Sequence, residues 1–228
     1  MDPFAPRLEN LPETFPVFPL TGALLLPQGR LPLNVFEPRY LAMVDSALAH
    51  GRMFGMIQPD PQRPRGPNGA GLYRVGCLGR LSSFSETDDG RFLITLSGLI
   101  RFRLIEELPM QRGFRRVRGE FSPYTADLDE PAEQQSAFER EHLLAVLRAY
   151  FTRRRFEANW EAIAEMPDDA LVVTLCMVCP FDPAEKQALL EAGTPGERAG
   201  ALLALLQIDT HESFDDDEDG SQGRSRAS

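Results

Sequence analysis

Lysine and histidine limit the chemistry open to this chain. The only lysine is Lys186, within Pro183-Ala184-Glu185-Lys186-Gln187, and no Gly-Lys-Ser/Thr string closes a glycine-rich turn. A Walker-type phosphate loop is therefore excluded. A Ser-Lys dyad needs a lysine desolvated beside a serine, whereas Lys186 on an acidic, capped helix reads as a solvated surface side chain. His50, His142 and His211 are the only histidines, and none stands in an H-E-x-x-H pair or beside an acid that would orient it. Cys176 and Cys179 have C-x-x-C spacing but fall inside an apolar helical run, away from the helix N-terminus that would stabilise a thiolate. No second pair completes a zinc site, so they read as packing residues. No catalytic residue, metal ligand or cofactor is expected, and the chain is expected to be neither an ATPase nor a peptidase.

Two groups of residues are suited to binding. Arg112, Arg115, Arg116 and Arg118 cluster, with Arg101 and Arg103 on a neighbouring strand, which is the footprint of a phosphate-binding patch. Glu106 and Glu107 interrupt it, so a solvated strand face is the plainer reading and RNA the alternative partner. The second group is Phe36 and Tyr40 with Met53, Phe54 and Met56. Aromatic and methionine side chains adapt to varied partners, and as the lining of an apolar groove these five would receive unfolded polypeptide segments. The expectation is an exposed apolar patch at Phe36, Tyr40, Met53 and Phe54.

The elements that must position these residues fall into two halves. Of 228 residues, 43% are hydrophobic and 25% charged, with 19 Pro and 18 Gly, which fits a globular chain rich in turns and strands. Residues 1–122 hold 15 Arg against 12 acids, and the remainder holds 9 basic residues against 22 acids; +3 and −13 sum to the net charge of −10. The first half alternates with period two at Phe15–Leu20, Leu31–Phe36, Met53–Ile57, Arg91–Leu96, Ile100–Leu104 and Phe114–Phe121. Asp89-Gly90 marks a tight hairpin, a helix is expected from Pro38 to Ala49, and Pro59–Gly71 reads as a mobile loop. Strands at this density suggest a small barrel or sandwich. The second half is helical. Asp182-Pro183-Ala184-Glu185 and Thr194-Pro195-Gly196-Glu197 place a cap, proline and glutamate at helix starts, with Glu130-Pro131-Ala132-Glu133 a weaker version. Ala170–Val178 reads as a helix buried all round, and Ala199, Leu202, Leu203 and Leu206 as an outer helix. Three cysteines without a framework and no signal-type N-terminus are read as a cytoplasmic chain, and no stretch is long and apolar enough for a membrane span.

The order of segments resembles the N-terminal substrate-binding domain of the ATP-dependent Lon protease. The residues that carry the likeness are Phe18-Pro19-Leu20, Leu24-Leu25-Leu26-Pro27-Gln28-Gly29 and Leu31-Pro32-Leu33-Asn34-Val35-Phe36-Glu37-Pro38-Arg39-Tyr40. They continue with Val75-Gly76-Cys77-Leu78-Gly79-Arg80, Ile94-Thr95-Leu96-Ser97-Gly98-Leu99-Ile100-Arg101-Phe102 and Glu185-Lys186-Gln187-Ala188-Leu189-Leu190-Glu191. The resemblance implies an α+β fold: a β-rich barrel subdomain related to pseudouridine-synthase-associated (PUA-like) domains, followed by a helical bundle subdomain. The expected division is an N-terminal extension (1–13), the β subdomain (14–124), a linker (125–130), the helical subdomain (131–210) and a disordered acidic tail (211–228). It implies a stand-alone member without ATPase and protease parts, binding polypeptide as an adaptor or holdase-like factor in protein quality control. Pro19, Glu37, Pro38, Arg39, Gly76 and Gly98 are expected to be structural, with Glu37 and Arg39 forming a local ion pair.

Overall fold

A computed structural model describes residues 7–129 and 139–219, with side chains placed through residue 209. The described residues form six strands, β1 (Thr14–Pro19), β2 (Arg30–Val35), β3 (Met53–Ile57), β4 (Val75–Glu86), β5 (Phe92–Gln111) and β6 (Phe114–Glu120). Six helices accompany them: α1 (Pro38–Ala49), α2 (Arg140–Arg154), α3 (Trp160–Glu165), α4 (Asp168–Val178), α5 (Pro183–Glu191) and α6 (Pro195–Asp219). The chain divides into two compact units, Met1–Ala132 with Cys176–Glu191, and Glu133–Leu175 with Ala192–Ser228.

In the first unit the strand order is β2-β5-β4-β3-β1-β6, and β5 pairs a second time with β6. This is α+β, as expected, but the sheet is mixed and not a closed barrel. β1 and β3 run parallel, and among the described residues β2 pairs with β5 alone, leaving an open edge. The two alternating runs at 91–96 and 100–104 are one strand. β5 serves β4 and β2 along its first half and β6 along its second. It continues through Gly98, beside a register shift against β4, where a Cβ would run into the Leu26 carbonyl group, its carbon only 2.8 Å away. Gly76 has the same reason, because a Cβ there would lie 2.7 Å from the Met56 carbonyl oxygen. The hairpin at Asp89-Gly90 forms as its sequence requires, with Gly90 at φ +77°. The core between the curled strands is aromatic: Phe15 meets Phe102 edge-on at 4.9 Å and Phe121 at 5.7 Å, with Met53, Leu78, Ile100 and Val117 around them. Each such side chain contributes about 1.5–3 kcal/mol by leaving water.

The segment 59–71 is pinned, which corrects the mobile loop. The Asp60 N–H donates to the Gly71 carbonyl at 2.9 Å, and Arg115 Nη1 donates to the Ala70 carbonyl at 2.8 Å. The expected linker is also partly fixed. Ser122–Leu128 forms 3-10 turns, and Asp127 receives Nε of Arg101 at 2.9 Å and its Nη2 at 2.8 Å. Both ends of that ion pair are buried.

Helix α5 belongs to the first unit, contrary to a division into an N-terminal sheet half and a C-terminal helical half. Its cap is the expected one, with the Glu185 carboxylate accepting from the Asp182 N–H at 2.8 Å. In the second unit α2 packs against α6, burying Leu143, Leu147 and Tyr150 on one helix and Ala199, Leu202 and Leu206 on the other. The Thr194 hydroxyl caps α6 by accepting from the Glu197 N–H at 3.1 Å. Asn159 caps α3 in the same manner at 3.1 Å. The backbone of α6 runs to Asp219, past the expected helix end at 210, and the rest of the acidic tail lies outside the described residues, as does the cap at Glu130–Glu133. α4 is one-sided and not buried all round: Leu171, Val172, Leu175 and Cys176 are buried, while Ala170, Thr174 and Val178 are exposed. No described helix is long and apolar enough to cross a membrane.

Candidate functional site

The outer parts of β2, β4 and β5 form a three-stranded arm that carries exposed apolar groups on both of its faces. β2 pairs with β5 from Arg30–Ser97 to Val35–Phe92, and the outer part of β4 pairs with the other side of the same stretch, Ser83–Thr95 to Glu86–Phe92. Phe92, Ile94 and Leu96 point to the buried face, as their period-two spacing requires. Phe84 stands on that same face, 5.0 Å from Phe92 in an edge-on contact, yet remains 42% exposed. Leu93, on the opposite face, is 45% exposed, and Phe36, the residue after β2, is 61% exposed. The Arg91 guanidinium lies 5.7 Å from the Phe36 ring centre and pairs with Asp89 at 2.7 Å.

Only Phe36 of the five expected groove residues is exposed. Tyr40, Met53, Phe54 and Met56 are buried, so the groove they were expected to line does not form. Tyr40 is turned inward by α1 and meets the Phe18 ring at 4.1 Å. Burial raises its hydroxyl above the ordinary value, with Arg39 acting against that shift. Phe54 and Met56 lie on β3, which is buried along its whole length between β1 and β4; Met53 joins the aromatic core. Short apolar strands in the middle of a sheet lose both faces to the interior, and sequence adjacency to Phe36 conceals that. The Glu37–Arg39 pair forms at 2.7 Å in an exposed position. Pro38 opens α1 at its first turn, and Pro19 ends β1 beside Ile57. Phe84 and Leu93 were missed as site residues. Their signal was present: a lone aromatic in Ser82-Ser83-Phe84-Ser85, and a leucine out of phase with Phe92, Ile94 and Leu96.

The arginine cluster is largely neutralised. Arg101 pairs with Asp127, Arg103 with Glu120, Arg112 with Asp45, Arg115 with Glu107, and Arg118 with Glu13 and Glu106. Among the described residues only Arg116 of that group enters no ion pair. Burial opposes the charge of Arg101, but the hydrogen bonds and field of Asp127 more than offset it and leave its pKa raised.

Lys186 is buried, a correction to its reading as a solvated side chain. Its Nζ donates to the Gly22 carbonyl at 2.7 Å, and desolvation lowers its pKa while Cys179 works the other way. Gln187 donates to the Val75 carbonyl at 3.1 Å, and Gln58 donates to the Pro183 carbonyl at 2.9 Å while accepting from the Gly22 N–H at 3.0 Å. These polar groups fasten α5 to the sheet, because each buried donor finds a carbonyl. They form an internal hydrogen-bond network around the Lys186 amine. Cys176 and Cys179 are likewise buried, and no group of three or more His, Cys, Asp or Glu is placed to hold a metal among the described residues.

The family model of the ATP-dependent protease La (LON) substrate-binding domain matches residues 14–207. The chain belongs to this family. Lon protease 2 of Thermus thermophilus is 26% identical over 208 residues, which is 87% of this chain and 24% of that protein. The Lon protease of Parabacteroides distasonis is 25% identical over 219 residues, 89% of this chain and 25% of its own length. The chain thus spans about a quarter of those Lon proteases, and 98 of its residues, 43% of the chain, match 12% of the Lon protease 2 of Myxococcus xanthus at 26% identity. Among solved structures, the Lon N-terminal domain protein from Xanthomonas campestris has a TM-score of 0.55 at 24% identity, covering 84% of this chain and 97% of its own. The N-terminal domain of the Mycobacterium avium complex Lon protease has 0.56 at 17%, covering 85% and 98%. At these identities the two structures establish a common fold.

Proposed function

We propose that this chain is a non-catalytic polypeptide-binding module whose contact surface is the β2–β4–β5 arm. The observation that carries the reading is the exposure of Phe36, Phe84 and Leu93 on one arm of a sheet whose remaining large apolar groups are mostly buried. Exposed aromatic and aliphatic side chains at the open end of a sheet offer anchors to a partner, and membership of a substrate-binding family gives the partner its class. Aromatic anchors supply much of the energy at such surfaces. The arm has no acid–base pair or buried nucleophile, so it holds a segment without altering it. In the cell this would be an adaptor or holdase role in protein quality control.

The ion-paired arginines weigh against RNA as the partner, since phosphate contacts require cations that are not already neutralised. Binding of reduced, carboxymethylated α-lactalbumin to the purified chain, measured across a salt series and with nuclease, tests the reading. Capture that persists at moderate salt is expected. Capture that collapses with salt, or that needs nucleic acid, would replace polypeptide binding by phosphate binding.

A further inference from the structure

The arm has two backbone edges, and they are not equivalent. In an antiparallel ladder, residues alternate between pairs that exchange both backbone hydrogen bonds and pairs that turn theirs outward. The Gly98 N–H donates to the Gly29 carbonyl at 2.8 Å, which sets the phase of the β2–β5 ladder. Leu31, Leu33 and Val35 then face β5, and Arg30, Pro32 and Asn34 face outward. Proline at the middle of that outward row removes its donor, a common device against strand addition.

The β4 edge lacks such protection. The Thr87 N–H donates to the Arg91 carbonyl at 2.9 Å, so Ser85 and Ser83 bond to β5 while Phe84 and Glu86 turn their N–H and C=O groups outward. β3 covers β4 only as far as Arg80, and Leu81 bonds to the Arg52 carbonyl at 2.8 Å. Beyond that point Ser82–Glu86 is exposed and pairs with nothing on its outer side among the described residues. The irregularity between Leu81 and Ser83 lies at the root of the arm, and the register from Ser83 to Glu86 is regular. Phe84 projects beside this edge, and Glu86 and Asp88 next to it enter no ion pair among the described residues.

We propose that the β4 edge at Ser82–Glu86 adds an extended polypeptide strand by backbone pairing. An apolar side chain of the incoming strand lies on Phe84, and a basic one faces Glu86 and Asp88. This rests on the polypeptide-binding reading above and names its mode. Only an extended backbone matches the alternating N–H and C=O groups of Phe84 and Glu86, and cross-strand contact with Phe84 selects an apolar neighbour. The local acids complement a cationic segment. A second copy of this chain would instead bring the same acids and a net charge of −10.

The test uses a dye-labelled acetyl-Lys-Thr-Val-Phe-Val-Thr-Lys-amide peptide, followed by anisotropy with the whole chain, and two versions N-methylated at alternate amides in opposite phase. Methylation in one phase should weaken binding at least roughly tenfold and in the other by less than about twofold, because only one set of amides faces β4. Glu86→Pro removes one outward donor while leaving Ser83 and Ser85 bonded to β5. It should weaken binding roughly tenfold with the thermal midpoint retained, and if that variant does not fold, the methylated pair decides. Equal tolerance of both phases, or wild-type binding by folded Glu86→Pro, overturns strand addition even though polypeptide capture stands. A dimer in sedimentation that Glu86→Pro dissolves assigns the edge to a second copy and also overturns it. If neither the peptide nor carboxymethylated α-lactalbumin binds, the parent reading falls together with this one.

Discussion

Replacing Phe36 and Phe54 separately by alanine distinguishes a surface anchor from a core residue within one stretch of sequence. Phe36 is 61% exposed, so about two-fifths of its side chain is out of water. Full burial of such a side chain is worth about 1.5–3 kcal/mol, and that fraction gives about 1 kcal/mol. The exposed contact with the Arg91 guanidinium, at the long end of the range, adds about 0.5 kcal/mol. Phe36→Ala should therefore cost about 1 kcal/mol of stability. Phe54 is fully buried on β3, and its removal leaves a cavity as well as losing transfer energy, about 3–5 kcal/mol. Urea titrations of both variants, with the slope checked for two-state behaviour, measure the difference. The same Phe36→Ala protein should capture carboxymethylated α-lactalbumin about tenfold more weakly, the loss of one aromatic anchor. A stability loss above about 2 kcal/mol for Phe36→Ala would contradict the exposed position. Unchanged capture by the folded variant would remove Phe36 from the contact surface.

Three further outcomes are expected. Asp127→Ala strands the buried Arg101 guanidinium and should cost about 3–5 kcal/mol; a loss under about 1 kcal/mol by denaturant titration would mean that this pair does not secure the segment after β6. Gly98→Ala forces the Leu26 carbonyl away from β5 and threatens its bond from the Gly29 N–H. A loss of about 2–4 kcal/mol is expected from overpacking plus one hydrogen bond, and a wild-type melting temperature would refute the close approach. The third outcome concerns pH. Burial holds Lys186 below its unfolded pKa, so between the two values the unfolded chain binds the proton and the folded chain does not. The charge penalty is full below the folded pKa and is relieved as pH rises towards the ordinary lysine value. Stability of the wild type relative to Lys186→Met should therefore increase with pH across that window, Tyr40 being common to both; a flat or falling difference would contradict the buried amine.

The elements themselves were legible because their causes are local. Period-two alternation marked β5 and β6, Asp89-Gly90 the hairpin, Pro38 the start of α1, and the Asp182 and Thr194 caps the starts of α5 and α6. The family was legible too, since Phe36-Glu37-Pro38-Arg39-Tyr40 and Glu185-Lys186-Gln187 are read in order along the chain. Burial was not local. Tyr40 and Met56 look as adaptable as Phe36 until α1 and the neighbours of β3 enclose them. Lys186 looks solvated until the Gly22 carbonyl is brought to its amine by a segment far away in sequence. The arginine cluster reads as positive charge until Asp127, Glu107 and Glu106 are folded against it. Phe84 is exposed because β3 pairs with β4 only as far as Arg80 while β4 continues to Glu86, and a strand's open edge depends on where its neighbour ends. Sequence by itself determined the kinds of element, several of their starting points and the family, which follow from side-chain period, caps and turns. Tertiary structure alone decided which apolar, charged and backbone groups were left facing solvent, because that depends on partners distant in the chain.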